Sequence, residues 1–159
     1  MSLDEHAHAA SGEMCAVGQG GLLHPLAQLS VLVHGRVADV AERNGLTPMQ
    51  ARMLGLLTSG PRRMAGLALG LGVEKAALTG LVDRAESRGL VERGPVPGDR
   101  RSIHVSVTEA GAAASSAFYR QLGEALEELI DELPSEARAA YRAATETIVG
   151  AATSRLARV

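Results

Sequence analysis

The segment 89–111 constrains the fold of this chain more than any other. It contains two short stretches, 90–93 and 102–107, separated by a turn rich in Pro and Gly. The second stretch alternates apolar and polar residues with a period of two, which predicts a half-buried strand. Together they predict a tight hairpin with Arg100 and Arg101 near its tip. Such a hairpin is a poor core element, and its guanidinium groups suit a narrow, negatively charged groove.

Four helices are predicted before this hairpin. Apolar residues three and four apart indicate a helix at 22–44, and a second helix follows Thr47, a typical N-cap residue. The stretches 65–71 and 74–88 also have helical spacing, and Gly72 between them predicts a sharp turn. Two helices joined in this way are typical of a helix-turn-helix. With the hairpin they predict a winged helix-turn-helix, a mainly α fold (α+β) with a small sheet.

The two ends of the chain add helices that a winged helix does not need. A long helix is predicted after the N-cap residue Thr108, and a last helix after the break at Pro134. Their apolar faces must pack against something, and a two-fold homodimer built from both ends of each chain is the simplest solution. An extended monomeric core is the alternative. The predicted organisation is a flexible arm at 1–21 and a single domain at 22–159, with a winged helix at about 46–108 and dimerisation helices at about 22–45 and 109–158.

Composition narrows the class of protein. The net charge is −2, yet residues 61–105 carry eight Lys and Arg against five Asp and Glu. Local charge decides the attraction to phosphate, because salt screens charges over about 8–10 Å. Aromatic residues are only 2% of the chain, which disfavours a protein that stacks single-stranded bases. The sequence has no long apolar run and no secretion signal, and Cys15 is its single cysteine; these features predict a cytoplasmic protein with no membrane span.

Several short motifs, in this order and spacing, resemble those of the multiple antibiotic resistance regulator (MarR) family of bacterial winged-helix repressors. The motifs are Gly45-Leu46-Thr47-Pro48, Leu67-Ala68, Leu81-Val82-Asp83-Arg84, Gly89-Leu90-Val91-Glu92-Arg93, Asp99-Arg100-Arg101 and Val107-Thr108-Glu109-Ala110-Gly111. The resemblance runs from Leu22 to the C-terminus. It implies a sequence-specific transcriptional regulator that binds a pseudo-palindromic operator as an obligate homodimer. It often implies release from the operator by a small aromatic acid, another lipophilic compound or an oxidant.

The resemblance also assigns the wing. Asp99 and Arg101 match the family's wing signature, an Asp and an Arg two residues apart. The side chain of Asp99 is expected to orient one arginine, and either Arg100 or Arg101 is expected to enter the minor groove, whose negative potential favours a guanidinium. A solvated turn with an incidental ion pair is the alternative interpretation.

The helix at 74–88 is expected to lie in the major groove. Its predicted contact residues are Lys75, Ala76, Thr79, Gly80 and Asp83, with Arg84 nearer the backbone. The chain departs from the family here, because Ala76, Ala77 and Gly80 stand where polar or basic residues are common. We therefore expect modest direct readout, with Lys75 on guanine or phosphate and Ala76 on a thymine methyl group. Much of the specificity is expected from the wing and from DNA shape.

Other candidate sites are less specific. Phosphate contacts are predicted for a cluster of arginines, namely Arg62, Arg63, Arg88 and Arg93. A pocket for a small acid is predicted where the first two helices meet the long helix, lined by His24, Leu29, His34, Arg52 and Met53; ordinary interface packing is the alternative. The five histidines lack an accompanying Cys or carboxylate cluster, so no metal site is expected. Cys15 precedes the first helix, which disfavours a peroxide sensor.

Two other classes of function remain as alternatives. A winged-helix interaction or architectural protein with little operator specificity would fit the Ala- and Gly-rich recognition helix, but the arginines of the wing argue against it. An enzyme is not expected, because Gly66, Gly70 and Gly72 lack the strand and helix context of a nucleotide-binding loop. No catalytic arrangement of Ser, His and Asp or of paired carboxylates is evident, and no cofactor is expected.

Overall fold

A computed structural model of the chain describes residues 24–96 and 99–156, without the side chains of 96–102, 155 and 156. The predicted arm at 1–21, with Cys15, lies outside the described residues. The elements in chain order are α1 (Pro25–Arg43), α2 (Pro48–Leu57), β1 (Arg62–Arg63), α3 (Met64–Leu71), α4 (Lys75–Ser87), β2 (Val91–Val96), β3 (Asp99–Val107), α5 (Glu109–Glu127) and α6 (Ser135–Leu156). The mainly helical fold with a small sheet is therefore confirmed.

Local signals set the helix starts as the sequence predicts. The Thr47 hydroxyl accepts a hydrogen bond from the Gln50 N–H at 3.1 Å, and the Gln50 side chain accepts one from the Thr47 N–H at 3.0 Å. This reciprocal capping box satisfies two N–H groups that would otherwise lack a helical partner. Thr108 caps α5 by accepting from the Gly111 N–H at 3.1 Å. Both predicted caps are confirmed.

The three strands form one antiparallel sheet in the order β1-β3-β2. Both wing strands are longer than predicted, because their pairing continues outward until Val96 faces Asp99. The prediction that 99–101 belong to the turn is therefore wrong at the level of the backbone. A main-chain ladder does not require alternating side chains, so the sequence period ends before the pairing does. The register changes between Pro95 and Val96.

The core lies where α2, α3 and α4 meet the base of the wing. Leu54, Leu67 and Leu78 have no exposed surface, and Val105 of β3 is also fully buried. Helix α4 buries Leu78, Leu81, Val82 and Ala85 and leaves Ala77 exposed. These contacts hold α4 against α3 and the sheet and leave its other side in solvent.

The outer helices expose apolar side chains. Leu26 and Val31 of α1 are 61% and 60% exposed, and Ile148 and Val149 of α6 are 60% and 57% exposed. Among the described residues, no single helix is long and apolar enough to cross a membrane. Helices α3 and α4 meet the length and composition of a span only when taken together across a bend of 103°.

Candidate nucleic-acid interface

The turn at Gly72 sets the orientation of the recognition helix α4. Gly72 has φ of +69° and caps α3 in the left-handed conformation, where its N–H bonds back to the last turn. Glycine adopts this conformation without the steric cost that a side chain would add. The chain then enters α4 at Lys75, whose side chain is exposed like those of Ala76 and Thr79. The predicted contact residues therefore begin the helix on its solvent side.

The polar groups of this exposed face are largely engaged within the protein. The Thr79 hydroxyl donates to the carbonyl oxygen of Lys75 at 2.9 Å. The carboxylate of Asp83 accepts a hydrogen bond from the guanidinium of Arg93 at 2.5 Å. Arg84 extends over Gly80, since a Cβ at Gly80 would lie 3.2 Å from Nη1 of Arg84. After Lys75, the first turns of this face therefore carry mainly small side chains, and the guanidinium of Arg84 covers Gly80.

Arg93 connects the wing to α4, a contact that the sequence interpretation missed. Its guanidinium donates to Asp83 and to Glu86, and its backbone N–H donates to Glu86 at 3.2 Å. Desolvation lowers the pKa of Arg93, but the hydrogen bond with Asp83 and the charges of both carboxylates outweigh it, so the pKa is raised. We name Arg93, Asp83 and Glu86 the wing tether. The predicted phosphate contact of Arg93 competes with these two partners.

The remaining predicted phosphate contacts are exposed at the edges of α4. Arg62 donates from Nε to the carbonyl oxygen of Leu56 at 3.0 Å, and Arg88 donates to the side-chain oxygen of Gln50 at 3.3 Å. Arg63 is exposed on β1, where it pairs with His104 of β3. All three residues remain exposed as positive charges, Arg62 and Arg63 on β1 and Arg88 at the C-cap of α4.

The wing signature lies at the start of β3. Asp99 is the backbone partner of Val96, so Asp99, Arg100 and Arg101 directly follow the hairpin turn. Their side chains lie outside the described part of the structure, and the assignment of the minor-groove arginine stays a prediction. Further down the strand, His104 is described and faces Gly94 across the hairpin, 3.2 Å from the position of a Cβ there.

The residues predicted to line an effector pocket have different surroundings in the structure, and the pocket stays a prediction. His24 caps the start of α1, and His34 bonds to the Ser30 carbonyl oxygen at 2.6 Å. Arg52 points outward and donates to the Gly70 carbonyl oxygen at 3.2 Å, whereas the neighbouring Met53 is fully buried in the core. Consecutive helical residues point in directions about 100° apart, so adjacent positions rarely share a pocket. The remaining residue, Leu29, is half-buried on α1.

An open cavity of about 470 Å³ lies elsewhere, between the end of α1, the start of α2 and the end of α4. Its lining residues are Glu42, Gly45, Leu46, Thr47, Gln50, Arg84, Ser87 and Arg88. Two guanidinium groups and the N-terminus of α2 meet at this cavity, which gives it a positive potential beside the carboxylate of Glu42. No group of three possible metal ligands occurs among the residues that the structure describes.

Comparisons with known proteins agree with this architecture. A sequence model of the MarR family matches residues 44–102. The chain is 39% identical over 83 residues to the transcriptional repressor NicR of Pseudomonas putida. The aligned residues are 50% of this chain and 52% of NicR. The chain thus spans about half the length of that relative. It is 30% identical over 117 residues to the HTH-type transcriptional regulator YfiV of Bacillus subtilis, covering 71% of this chain and 73% of YfiV.

The fold leads to the same family. The crystal structure of wild-type MarR from Escherichia coli in its apo form superposes with a TM-score of 0.70 at 25% identity, over 80% of this chain and 98% of that one. The agreement includes the outer helices as well as the winged helix, because nearly all of that structure is covered. With the sequence match to YfiV, it establishes that the chain belongs to the MarR family of winged-helix transcriptional regulators, which are not enzymes.

Proposed function

We propose that this chain acts as a homodimeric repressor that reads a pseudo-palindromic operator in double-stranded DNA. The observation that carries the proposal is the exposed side of α4, which faces solvent rather than the core. Exposed arginines lie on both neighbouring parts of the chain, Arg62 and Arg63 on β1 and Arg84 and Arg88 toward the end of α4. A helix held in this way suits the major groove, with its first residues toward the base edges. The proposal places the protein with the DNA, in the cytoplasm.

The wing completes the proposed interface. We assign Arg100 or Arg101 to the minor groove beside the site that α4 occupies, with Asp99 orienting the inserted arginine. The wing tether supports this arrangement, because Arg93 joins β2 to the middle of α4 through two carboxylates. The angle between the wing and α4 would then be set before DNA is bound, which lowers the entropic cost of binding.

Phosphate contacts are proposed for Arg62, Arg63 and Arg88, with Arg84 as a further candidate. All four are exposed, with Arg84 on α4, Arg88 at its C-cap, and Arg62 and Arg63 on β1 directly before α3. Such contacts position the protein without reading sequence, and they make affinity fall steeply with salt. Arg93 contributes mainly to the wing tether in this proposal, since its guanidinium already serves Asp83 and Glu86.

The homodimer is proposed from the outer helices. The exposed apolar side chains of α1 and α6, such as Leu32 at 47% and Ile148 at 60%, would be covered by the same helices of a second copy. In a two-fold dimer the two α4 helices then face successive major grooves, about 34–36 Å apart. This spacing relates the operator's symmetry to that of the protein.

The first experiment compares binding to the DNA upstream of the chain's own gene with binding to a scrambled duplex at about 150 mM salt. A regulator that reads an operator prefers the upstream DNA by about a thousandfold or more. Equal and salt-sensitive binding to both would instead favour an architectural protein without operator specificity. No binding to either would favour an interaction protein that has kept the fold.

A second experiment tests the wing. Arg101→Ala should weaken operator binding strongly while leaving thermal stability nearly unchanged, because the residue lies far out on the hairpin. Arg120→Ala is the matched control, since Arg120 is exposed on α5 and pairs only with Glu124 one turn away. An Arg101→Ala protein with full affinity would remove Arg101 from the proposed interface, and Arg100→Ala would then test the neighbouring candidate.

We also propose that a small organic acid, aromatic or lipophilic, regulates binding from the cavity beside α4. The cavity connects α1, α2 and α4, so a ligand there touches both the outer helices and the recognition helix. Arg84 and Arg88 would hold its carboxylate. A panel of aromatic acids should raise the melting temperature of the free protein and release the operator. Arg88→Gln should abolish the rise in melting temperature, which is measured without DNA and does not depend on the proposed phosphate contact of Arg88. A rise that persists in Arg88→Gln would place the ligand elsewhere.

A further inference from the structure

The exposed face of α4 has few groups that can hydrogen-bond to a base edge. Ala76 and Ala77 are exposed in its first turn, and Gly80 is half-buried one turn later. Ala76 and Gly80 lie nearly opposite the buried Leu78 on the helix circumference, so they form the outermost line of the helix. A helix placed in the major groove by this face would present mainly methyl groups and backbone in its first turn, followed by the guanidinium of Arg84 over Gly80.

The polar side chains next to this line are already occupied. The single proton of the Thr79 hydroxyl goes to the Lys75 carbonyl oxygen, so this hydroxyl cannot also donate to a base and could only accept. The Thr79 methyl group is the apolar part of that side chain. The carboxylates of Asp83 and Glu86 hold Arg93, so they are poor acceptors for the amino group of cytosine. Lys75 is the one ammonium group of the first turn.

The apolar character extends to the neighbouring helix. The exposed side of α3 consists of Ala65, Gly66, Leu69 and Gly70. Leu69 is 86% exposed, the largest exposed fraction among the large apolar side chains with described surfaces. Exposed apolar side chains therefore occur on both helices of the helix-turn-helix, beside the charged side chains of Lys75 and Arg84 on α4.

Only one base presents an apolar group in the major groove. Guanine and adenine offer acceptors that call for Arg, Lys, Asn or Gln, and cytosine offers an amino group that calls for a free acceptor. Thymine carries a C5 methyl group, which Ala and the methyl group of Thr contact without hydrogen bonds. On the exposed face of α4, Lys75 and Arg84 could meet guanine or phosphate and Glu74 could accept from cytosine. The small apolar side chains between them match thymine.

We infer that α4 reads its operator mainly through the methyl groups of thymine, with Ala76 as the central contact and Ala77 and the Thr79 methyl group beside it. This inference rests on the proposed function and specifies the bases recognised. Each buried methyl group is worth about fourfold in affinity, the equivalent of about 0.8 kcal/mol. One methyl contact in each half-site of a dimer therefore gives roughly fifteenfold.

The test uses the upstream duplex made with thymidine or with deoxyuridine, which removes the methyl group and keeps base pairing. Wild-type protein should bind the deoxyuridine duplex roughly fifteenfold more weakly at about 150 mM salt. Ala76→Gly should bind the thymidine duplex more weakly and lose most of the difference between the two duplexes. Ala113→Gly, the same substitution at an exposed site of α5, should keep the full difference.

The outcomes separate this inference from the proposed function. Preference for the upstream over the scrambled duplex, with equal affinity for thymidine and deoxyuridine, would overturn methyl readout and leave an operator-reading regulator. A deoxyuridine effect that persists in Ala76→Gly would assign it to DNA shape and would also overturn the inference. Absence of any sequence preference would overturn the proposed function itself, and tight capture of another protein by the α3 and α4 face would replace it.

Discussion

The core of the central winged helix buries its large apolar side chains, whereas the outer faces of α1 and α6 expose theirs. In the centre, Leu54 and Leu78 have no exposed surface, whereas Leu26 of α1 and Ile148 of α6 are 61% and 60% exposed. The centre is therefore complete within one chain. The outer helices leave apolar area whose burial would stabilise an assembly by about 25 cal/mol per Å². Each chain therefore forms its winged helix by itself, whereas the distance between two winged helices depends on how two copies of the chain associate.

The largest effect is expected from a cavity in the centre. Leu78→Ala should lower the free energy of unfolding by about 3–4 kcal/mol, because Leu78 is fully buried and its loss leaves a void. Urea unfolding at two protein concentrations measures it. The loss should be independent of concentration if the centre is complete within one chain. A strongly concentration-dependent loss would show that the core of the winged helix also depends on a second copy.

The junction of the two regions should be almost as sensitive. A side chain at Gly111 of α5 would overlap the Leu90 carbonyl oxygen at the base of the wing. Gly111→Ala should therefore destabilise the fold by about 2–3 kcal/mol. Gly123→Ala in the same helix is the matched control, since a Cβ there meets nothing within 4 Å. The control should gain about 0.5–1 kcal/mol; similar results for both variants would contradict the close approach.

Charge on an outer helix should act on assembly rather than on folding. Ile148→Glu should weaken the proposed homodimer about thirtyfold, or about 2 kcal/mol, because a carboxylate would be buried without a partner. Sedimentation equilibrium measures the change. Leu69→Glu is the control, since Leu69 is equally apolar and 86% exposed but lies on α3. A dimer unaffected by Ile148→Glu would place the interface away from α6.

The smallest effect is expected from the wing tether. Arg93→Ala should cost about 1 kcal/mol, because the Arg93 side chain is 24% exposed and its partners are more so. The raised pKa of Arg93 means that this contribution is present below that pKa and lost only above it. The difference from wild type, measured by urea unfolding, should thus stay constant between about pH 7 and pH 9.

A matched control distinguishes the tether from an ordinary surface pair. Arg142 of α6 pairs with Glu127, and both side chains are about half exposed, at 52% and 51%. Arg142→Ala should cost less than about 0.5 kcal/mol and leave operator affinity unchanged. Arg93→Ala should in addition weaken operator binding, because it frees the wing from α4. Equal losses of stability and of operator affinity in the two variants would show that the wing tether is an ordinary surface ion pair.

Helix caps, turns and the alternation of a strand could be predicted from the sequence, because each depends on residues close together in the chain. Thr47 and Thr108 cap helices because their hydroxyl groups accept from N–H groups three residues ahead. Gly72 turns the chain because glycine, which has no side chain, adopts positive φ without strain. Strand β3 was recognisable by its alternation down to Val107, and the arginine-bearing hairpin identified the wing. Each of these signals lies within a few residues of its effect.

The contacts of individual side chains, by contrast, depend on the tertiary structure. The partners of Arg93 lie seven and ten residues away on another element, and no local pattern distinguishes them from other surface carboxylates. Met53 was a pocket candidate until packing placed it in the core, and pairing across the hairpin extended β3 to Asp99. Spacing within the chain limits which way a side chain points. Its contacts depend on distances between elements, which are set only when the elements pack together.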